Sequence, residues 1–187
     1  MEPPMTPLNL ECTPDALPLY DWSATLTTRT GFSLPVRPAR PGDEAALATF
    51  FDHVTPEDLR FRFLSGIHRV SSDRLAEMTH VDHALIEHFL GFDPDSGQII
   101  ASAMVAADKA RSTGEVAIAI DAKYKNRGIG WVLLGHVARF ARAHGMKRLQ
   151  SIENRENRAA IELEHEMGFT TRPHPDDGSL ILVEAEL

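Results

Sequence analysis

The sequence predicts an α/β (α+β) domain in which a mixed central sheet carries helices on both faces. Segments of strand length alternate with segments of helical periodicity, and one apolar strand leads through a glycine-containing loop directly into a long helix. The hydrophobic fraction of 43% is sufficient for a normal core, and 187 residues correspond to one domain. We expect a proline-rich tail over residues 1–33 and the folded domain over residues 34–187.

The first half of the domain is expected to contain one strand, three helices and a hairpin. Residues 34–37 are predicted to form an edge strand, because proline is tolerated at a sheet edge but not in a central ladder. Thr55 is a good N-cap and Pro56 suits the first helical position, so a helix start is predicted there. The expected helices span residues 43–54, 57–64 and 72–79, and the expected hairpin strands span residues 87–93 and 98–106.

The second half is expected to alternate between strands and helices. A strand over residues 115–121 precedes the glycine-containing loop, and a helix over residues 129–144 follows it. Asn154 is a good N-cap for a further helix, and Gly168 suits the left-handed position just past its end. The remaining expected strands span residues 149–153 and 180–187.

The loop between residues 121 and 131 carries the clearest functional signal. Lys123, Lys125 and Arg127 precede Gly128-Ile-Gly130, at the expected start of a helix. Glycine lets the backbone approach a ligand closely, and the free N–H groups of a helix start favour an anion. The loop over residues 121–131 is therefore predicted to bind a pyrophosphate group, and it is called the cradle below. It lacks the third glycine of a Rossmann fingerprint and the G-K-[ST] of a Walker loop, and a plain loop-to-helix turn is the alternative.

Two segments of the second half resemble one enzyme family. Lys125-Asn-Arg-Gly-Ile-Gly130 is similar to the R/Q-x-x-G-x-G/A signature of the GCN5-related N-acetyltransferases (GNAT), and residues 154–169 resemble the family's E-N-x-x-A…G-F segment. The resemblance implies the GNAT fold, with a mixed, mostly antiparallel sheet, and acetyl-CoA as cosubstrate without a metal. It also implies that the cofactor contacts are Ile118, Ala119, Ile120, Lys125, Asn126, Arg127, Gly128, Ile129, Gly130, Trp131 and Asn157.

Two segments of the first half narrow the resemblance. Thr55-Pro-Glu-Asp-Leu-Arg-Phe-Arg-Phe63 and Met78-Thr-His-Val-Asp-His83 resemble the acetyltransferase domain of bacterial Pat-type protein lysine acetyltransferases. This implies a protein lysine as acceptor, such as that of an acyl-CoA synthetase. A small-molecule amine acetyltransferase and a non-catalytic acyl-CoA-binding regulatory module are the alternatives.

The resemblance also suggests where the catalytic base lies. Glu115 stands where Pat-type members carry their base, at the start of the strand that leads into the cradle, although an exposed carboxylate at a strand end is the alternative. Glu153 and Glu156 are second candidates for the base. Glu164 occupies a position at which many members of the superfamily carry a tyrosine, so no proton donor to the leaving thiolate is assigned.

The amino-acid composition indicates which binding partners and which cellular compartment to expect. The formal net charge is −8, yet residues 121–148 carry seven basic side chains against Asp121 alone, which favours a phosphate-rich ligand at the cradle. The acidic remainder argues against a nucleic-acid partner and suits a cationic acceptor. Cys12 is the single cysteine, which fits a reducing cytoplasm, and we expect neither a signal peptide nor a membrane span. The oligomeric state, monomer or homodimer, stays open.

Overall fold

The structure, a computed structural model, describes residues 21–187. Within these residues eight strands form a single sheet in the order β1-β2-β3-β4-β5-β6-β8-β7. The strands are β1 (Ala24–Thr27), β2 (Ser33–Pro38), β3 (Ile86–Phe92), β4 (Ile99–Ala107), β5 (Thr113–Ile120), β6 (Arg148–Asn154), β7 (Thr170–Pro173) and β8 (Leu180–Glu186). Neighbours pair antiparallel except β5 and β6, which are parallel. The predicted mixed, mostly antiparallel sheet is confirmed.

Five α-helices accompany the sheet in the described part of the chain. They are α1 (Glu44–Asp52), α2 (Pro56–Phe63), α3 (Ser72–Thr79), α4 (Ile129–Ala143) and α5 (Arg158–Glu166). The Thr55 side chain accepts a hydrogen bond from the Asp58 N–H, as expected of the N-cap of α2. Helix α5 begins three residues later than predicted, because the Asn154 side chain accepts from the Glu156 N–H in a turn and Asn157 takes the N-cap position.

The helices cover both faces of the sheet, as predicted. One core lies between the sheet and α4, and the other lies between the sheet and α1–α3. The α4 core is centred on Phe89, Ile100, Val105, Leu133, Leu134, Val137, Phe140 and Leu149. The opposite core is centred on Leu47, Phe50, Phe51, Leu59, Leu75, Met78 and Leu90. Burial of apolar surface on both faces holds the strands in the layer between the helices.

The sheet begins upstream of the predicted boundary at residue 34. Strand β1 pairs antiparallel with β2, and Leu26 of β1 is buried in the α4 core. The expectation that residues 34–37 form an edge strand is therefore wrong, because β1 covers that edge. Trp22, just before β1, packs edge-on against Phe140 of α4, with 5.3 Å between the ring centroids. Residues 1–20 of the predicted tail lie outside the described residues.

Candidate active site

A gap between two central strands forms the candidate site. The parallel pairing of β5 with β6 comprises three residue pairs and ends at Glu115 opposite Gln150. Beyond this point β5 stays paired with β4, as far as Ile120 opposite Ala101. Within residues 21–187, no strand pairs with the other edge of β5 over residues 116–120. Backbone groups along this edge are therefore available to a ligand.

A cavity of about 460 Å³ occupies this gap. Such a volume lies within the usual range of small-molecule and cofactor sites. Nine of the eleven residues predicted to contact the cofactor line it: Ile118, Ala119, Ile120, Lys125, Asn126, Gly128, Ile129, Gly130 and Asn157. Arg127 and Trp131 do not line the cavity; Arg127 stacks on Tyr124, and Trp131 is covered by Arg29. The structure thus brings the strand edge and the loop onto one cavity.

The predicted cradle has the backbone geometry of an anion site. Asn126 and Gly128 both adopt left-handed conformations, with φ of 61° and 79°. Gly128 is the N-cap of α4, and in the described part of the chain no side chain caps the first turn of this helix. The N–H groups of that turn are left free for a ligand, and the helix dipole favours a negative charge there.

The second glycine of the loop serves packing. A Cβ on Gly130 would lie 3.1 Å from Leu163 of α5 and 3.5 Å from Ile120 of β5. A side chain at this position would therefore be crowded by Leu163, whereas its distance to Ile120 would be an ordinary contact. This close approach places the cradle, β5 and α5 around the same cavity.

The cradle is tied to α2 through an ion pair. Lys125 donates to both carboxylate oxygens of Asp58, with distances of 2.7 and 3.0 Å from its Nζ atom, and both residues line the cavity. The pair is partly exposed, so its contribution to stability is modest, below about 1 kcal/mol. The ion pair nevertheless matters for position, because it holds the Lys125 side chain of the cradle against α2 in the free protein.

Glu115 lies where the two strands separate. It belongs to the last residue pair of β5 and β6, its side chain is exposed, and it lines the cavity. Glu115 therefore stands on the wall of the candidate site, and its role as the base stays a prediction. The guanidinium of Arg62, on α2, interacts electrostatically with both Glu115 and Glu153.

Arg62 also lines the cavity, although its place in the sequence predicts no role for it. Burial lowers the pKa of its guanidinium to about 10, and its Nε is buried without a hydrogen-bond partner. Its Nη2 atom lies 3.8 Å from the sulfur of Met104. Arg62 belongs to the segment 55–63 that resembles Pat-type enzymes, but spacing alone does not indicate that its guanidinium lies near two carboxylates.

Of the two second candidates for the base, only Glu153 reaches the cavity. Burial raises its pKa to about 7, and Asn157 Nδ2 donates to Glu153 Oε2 at 2.7 Å. The predicted contact residue Asn157 is therefore engaged with a neighbouring carboxylate. Glu156 does not line the cavity; it is exposed and pairs with Arg60 at 2.8 Å.

The carboxyl group of Glu164 also lines the cavity, from α5. It is buried, with 5% of its surface exposed, and its Oε1 accepts a hydrogen bond from Ser151 Oγ at 2.5 Å. Burial, with a smaller effect from the nearby Glu153, raises its pKa to about 8. A glutamate among exposed charges on a helical segment gave no sequence signal for this burial.

The histidines of the described residues do not form a metal site. Over residues 21–187, no group of three or more His, Cys, Asp or Glu side chains is arranged to hold a metal ion. His88 is fully buried between the carbonyl of Met78 and the hydroxyl of Ser102, and burial lowers its pKa to about 4. It therefore acts as a neutral structural side chain.

None of the helices in residues 21–187 has the length and apolarity needed to cross a bilayer.

Comparison with known proteins agrees with this geometry. The model of the acetyltransferase (GNAT) family matches residues 54–169. The chain is 26% identical over 149 residues to the acetyltransferase PA5475 of Pseudomonas aeruginosa, covering 79% of this chain and 80% of that protein.

Solved structures with the same fold include two informative relatives. The GNAT domain of S. lividans PAT superposes with a TM-score of 0.82 at 24% identity, covering 89% of this chain and 97% of that one. Spermidine N-acetyltransferase from Vibrio cholerae, in complex with CoA and spermine, superposes with a TM-score of 0.66 at 16% identity, covering 82% and 95%. At these identities the likeness concerns the fold.

Proposed function

The chain belongs to the acetyltransferase (GNAT) family, and from that premise we propose that it transfers the acetyl group of acetyl-CoA to the amine of a protein lysine. The observation that carries the proposal is the gap between β5 and β6. The unpaired edge of β5, the cradle at the start of α4 and the carboxylate of Glu115 all line the cavity in that gap.

The cradle suits the pyrophosphate of the cosubstrate. The left-handed conformation of Gly128 turns the backbone into α4, and the uncapped N–H groups of the first helical turn are donors for phosphate oxygens. The free edge of β5 at residues 118–120 supplies N–H and carbonyl groups for the amide-containing pantetheine arm of CoA. In this proposal Asn157 contacts the arm while its amide also orients Glu153.

Glu115 is proposed as the base, acting directly or through a water. An amine is protonated at neutral pH and attacks only after losing a proton. The exposed carboxylate of Glu115 lies at the strand separation, where an acceptor entering from solvent meets the inner part of the cavity. The neutral amine then forms the C–N bond, the C–S bond breaks, and the electron pair leaves with sulfur.

The protein-lysine acceptor is supported by sequence and by the surface beside the cavity. The segments at residues 55–63 and 78–83 resemble Pat-type enzymes, and the chain shares the fold of the S. lividans PAT domain. Leu64, 40% exposed, lines the cavity beside Phe63. The exposed side chain of Leu64 is available for contact with a protein that presents the lysine.

A small polyamine is the second candidate acceptor. Asp58, Glu115 and Glu153 line the cavity, and carboxylates favour a cationic ligand. The spermidine N-acetyltransferase of Vibrio cholerae shares the fold. Only the acceptor differs between this candidate and the main proposal.

A thiol-release assay with a panel of acceptors tests the proposal. Acyl-CoA synthetases, polyamines and aminoglycosides are each incubated with acetyl-CoA, and modified lysines are identified by mass spectrometry. We expect release of one thiol for each acetyl-lysine formed on a protein acceptor. Turnover with polyamines alone would replace the protein acceptor by a small amine. Tight binding of CoA without turnover on any acceptor would favour a non-catalytic binding module.

A further inference from the structure

The buried carboxyl group of Glu164 has no part in the function proposed above. Its Oε1 accepts from Ser151 Oγ, whereas its Oε2 is buried and has no hydrogen-bond partner. A buried polar atom without a partner is costly unless a ligand or a proton-transfer role accounts for it. Glu164 also lines the cavity between β5 and β6, so the unpaired oxygen belongs to the wall of the candidate active site.

The surroundings of Glu164 keep it neutral. The groups that influence its ionisation come from β6, namely Ser151 and Glu153. The guanidinium of Arg62, on α2, lowers the pKa of Glu153 but is not among the groups that influence Glu164. A carboxyl group that lacks a cationic partner and lies beside another carboxylate retains its proton to higher pH. Burial raises the pKa of Glu164 to about 8, so the group is an O–H donor at neutral pH.

Glu164 lies on the element that packs against the cradle. Leu163, the preceding residue of α5, is the side chain that approaches Gly130 of α4 most closely. A cosubstrate held at the cradle and along residues 118–120 of β5 extends toward Glu115 through the same cavity. The wall of that cavity on the α5 side includes Leu163 and Glu164. The reacting sulfur therefore has a neutral acid on one wall of its path.

We propose that Glu164 is the acid that protonates the sulfur when the C–S bond breaks, and that Ser151 positions it. The inference rests on the proposed acetyl transfer. In this step the C–N bond forms, the electron pair of the C–S bond passes to sulfur, and the proton of the Glu164 carboxyl moves to sulfur. The nitrogen loses two protons in all: the base takes one before attack, and the second leaves as the C–N bond forms and passes through water to the Glu164 carboxylate. The base then returns its proton to solvent before the next turnover.

The pH dependence follows from the state in which Glu164 acts. Only the neutral form donates a proton. The contribution of Glu164 to kcat is therefore complete at low pH and is lost as pH rises through about 8. The hydrogen bond from Ser151 lowers this pKa, because it stabilises the carboxylate. Ser151→Ala should therefore move the alkaline decline of kcat to higher pH. A residue with a purely structural role would not shift this decline.

The test compares Glu164→Gln with Glu166→Gln, an exposed control on the same helix. Gln is nearly isosteric and can still accept from Ser151, but it has no acidic proton. With acetyl-CoA and a productive acceptor, we expect Glu164→Gln to lower kcat at neutral pH by about 10²-fold. The Kd for CoA should not change, and the alkaline decline should disappear. Glu166→Gln should match the wild type in all three measurements.

An oxygen-ester analogue of acetyl-CoA makes the test independent of which step limits turnover with the thioester. An alkoxide is far more basic than a thiolate and depends more on an acid, so Glu164→Gln should lose more activity with this analogue than with acetyl-CoA. Equal kcat in Glu164→Gln and wild type with both donors would overturn the inference and leave acetyl transfer intact. Failure of the wild type to acetylate any acceptor would overturn the proposed function, and this inference with it.

Discussion

At the scale of single residues, the three glutamates of the cavity wall lie in different environments. Glu115 is exposed where β5 and β6 separate, whereas Glu153 and Glu164 are held in surroundings that raise their pKa values to about 7 and about 8. Burial disfavours the charged form, so neutral Glu164 suits a donor. The exposed carboxylate of Glu115 suits a base that meets the acceptor from solvent.

The first prediction concerns Glu115 as the base. Glu115→Gln should retain the fold and CoA binding, because the change is nearly isosteric and the cradle lies on other elements. Its kcat should fall by roughly 10²–10⁴-fold, the usual contribution of a positioned base. The loss should shrink at high pH, where more of the amine is already neutral. Steady-state kinetics across pH, with calorimetry for CoA, measure both effects.

Two further variants decide between the candidate bases. Glu156→Gln is the matched control, because Glu156 is exposed and pairs with Arg60 outside the cavity. Glu153→Gln should cost much less than Glu115→Gln. Full activity of Glu115→Gln at every pH, together with a large loss in Glu153→Gln, would move the base to β6.

At the scale of elements, the site depends on where pairing between strands stops. Three residue pairs join β5 to β6, and beyond them residues 116–120 of β5 and Ile152 and Glu153 of β6 line the cavity. Helix α4 starts at this gap, so its first residues and the free edge of β5 line the same cavity. A sheet with continuous pairing between these strands would leave no such edge.

The cradle gives the second prediction. Gly128→Glu should abolish CoA binding, because a side chain at φ of 79° strains the turn and a carboxylate would repel phosphate. Gly145→Glu is a matched control at the other end of α4, with φ of 80° and no atom within 4 Å of the added Cβ. Calorimetry on both folded variants tests the assignment. Unchanged affinity in Gly128→Glu would remove the cradle from the site.

The segment before residue 34 gives the third prediction. Trp22 packs against Phe140 and His144 of α4, and its carbonyl accepts a hydrogen bond from His136 Nε2 at 3.1 Å. Trp22→Ala should lower the free energy of unfolding by about 2 kcal/mol, less than for a fully buried tryptophan because Trp22 is only partly buried. Urea unfolding measures the change.

Leu85→Ala is the control for Trp22→Ala, because Leu85 is exposed and its removal should cost little. If Trp22→Ala unfolds at the same urea concentration as the wild type, the segment preceding β1 does not contribute to the stability of the domain.

At the scale of the whole molecule, the sequence predicted most of the sheet, the helices on both faces and the glycine-containing loop before α4. These features have strong local signals, such as the apolar run 116–120, the Thr55 cap and the glycines of the loop. Strand β1 was missed because a segment among many prolines carries a weak strand signal. The half-buried Arg62 and the buried Glu164 were not predicted, because burial of a charged residue depends on contacts between elements distant in sequence.

The last prediction links the cavity to the stability of the whole fold. A glutamate in the unfolded chain ionises near pH 4.5, whereas native Glu153 and Glu164 retain their protons to about pH 7 and about pH 8. Between these pH values the unfolded state releases protons that the native state holds. The stability contributed by the neutral forms is complete below pH 4.5 and is lost as pH rises, by at most about 1.4 kcal/mol per pH unit for each group.

Replacing Glu164 by Gln removes one of these two protons from the balance. The free energy of unfolding of Glu164→Gln should therefore decline less steeply than that of the wild type between pH 5 and about pH 8. Urea unfolding at several pH values for the wild type, Glu164→Gln and the exposed control Glu166→Gln measures the difference in slope. Parallel curves for all three proteins would mean that Glu164 ionises at its ordinary pH, and the carboxyl group would then be charged and unable to act as an acid at neutral pH.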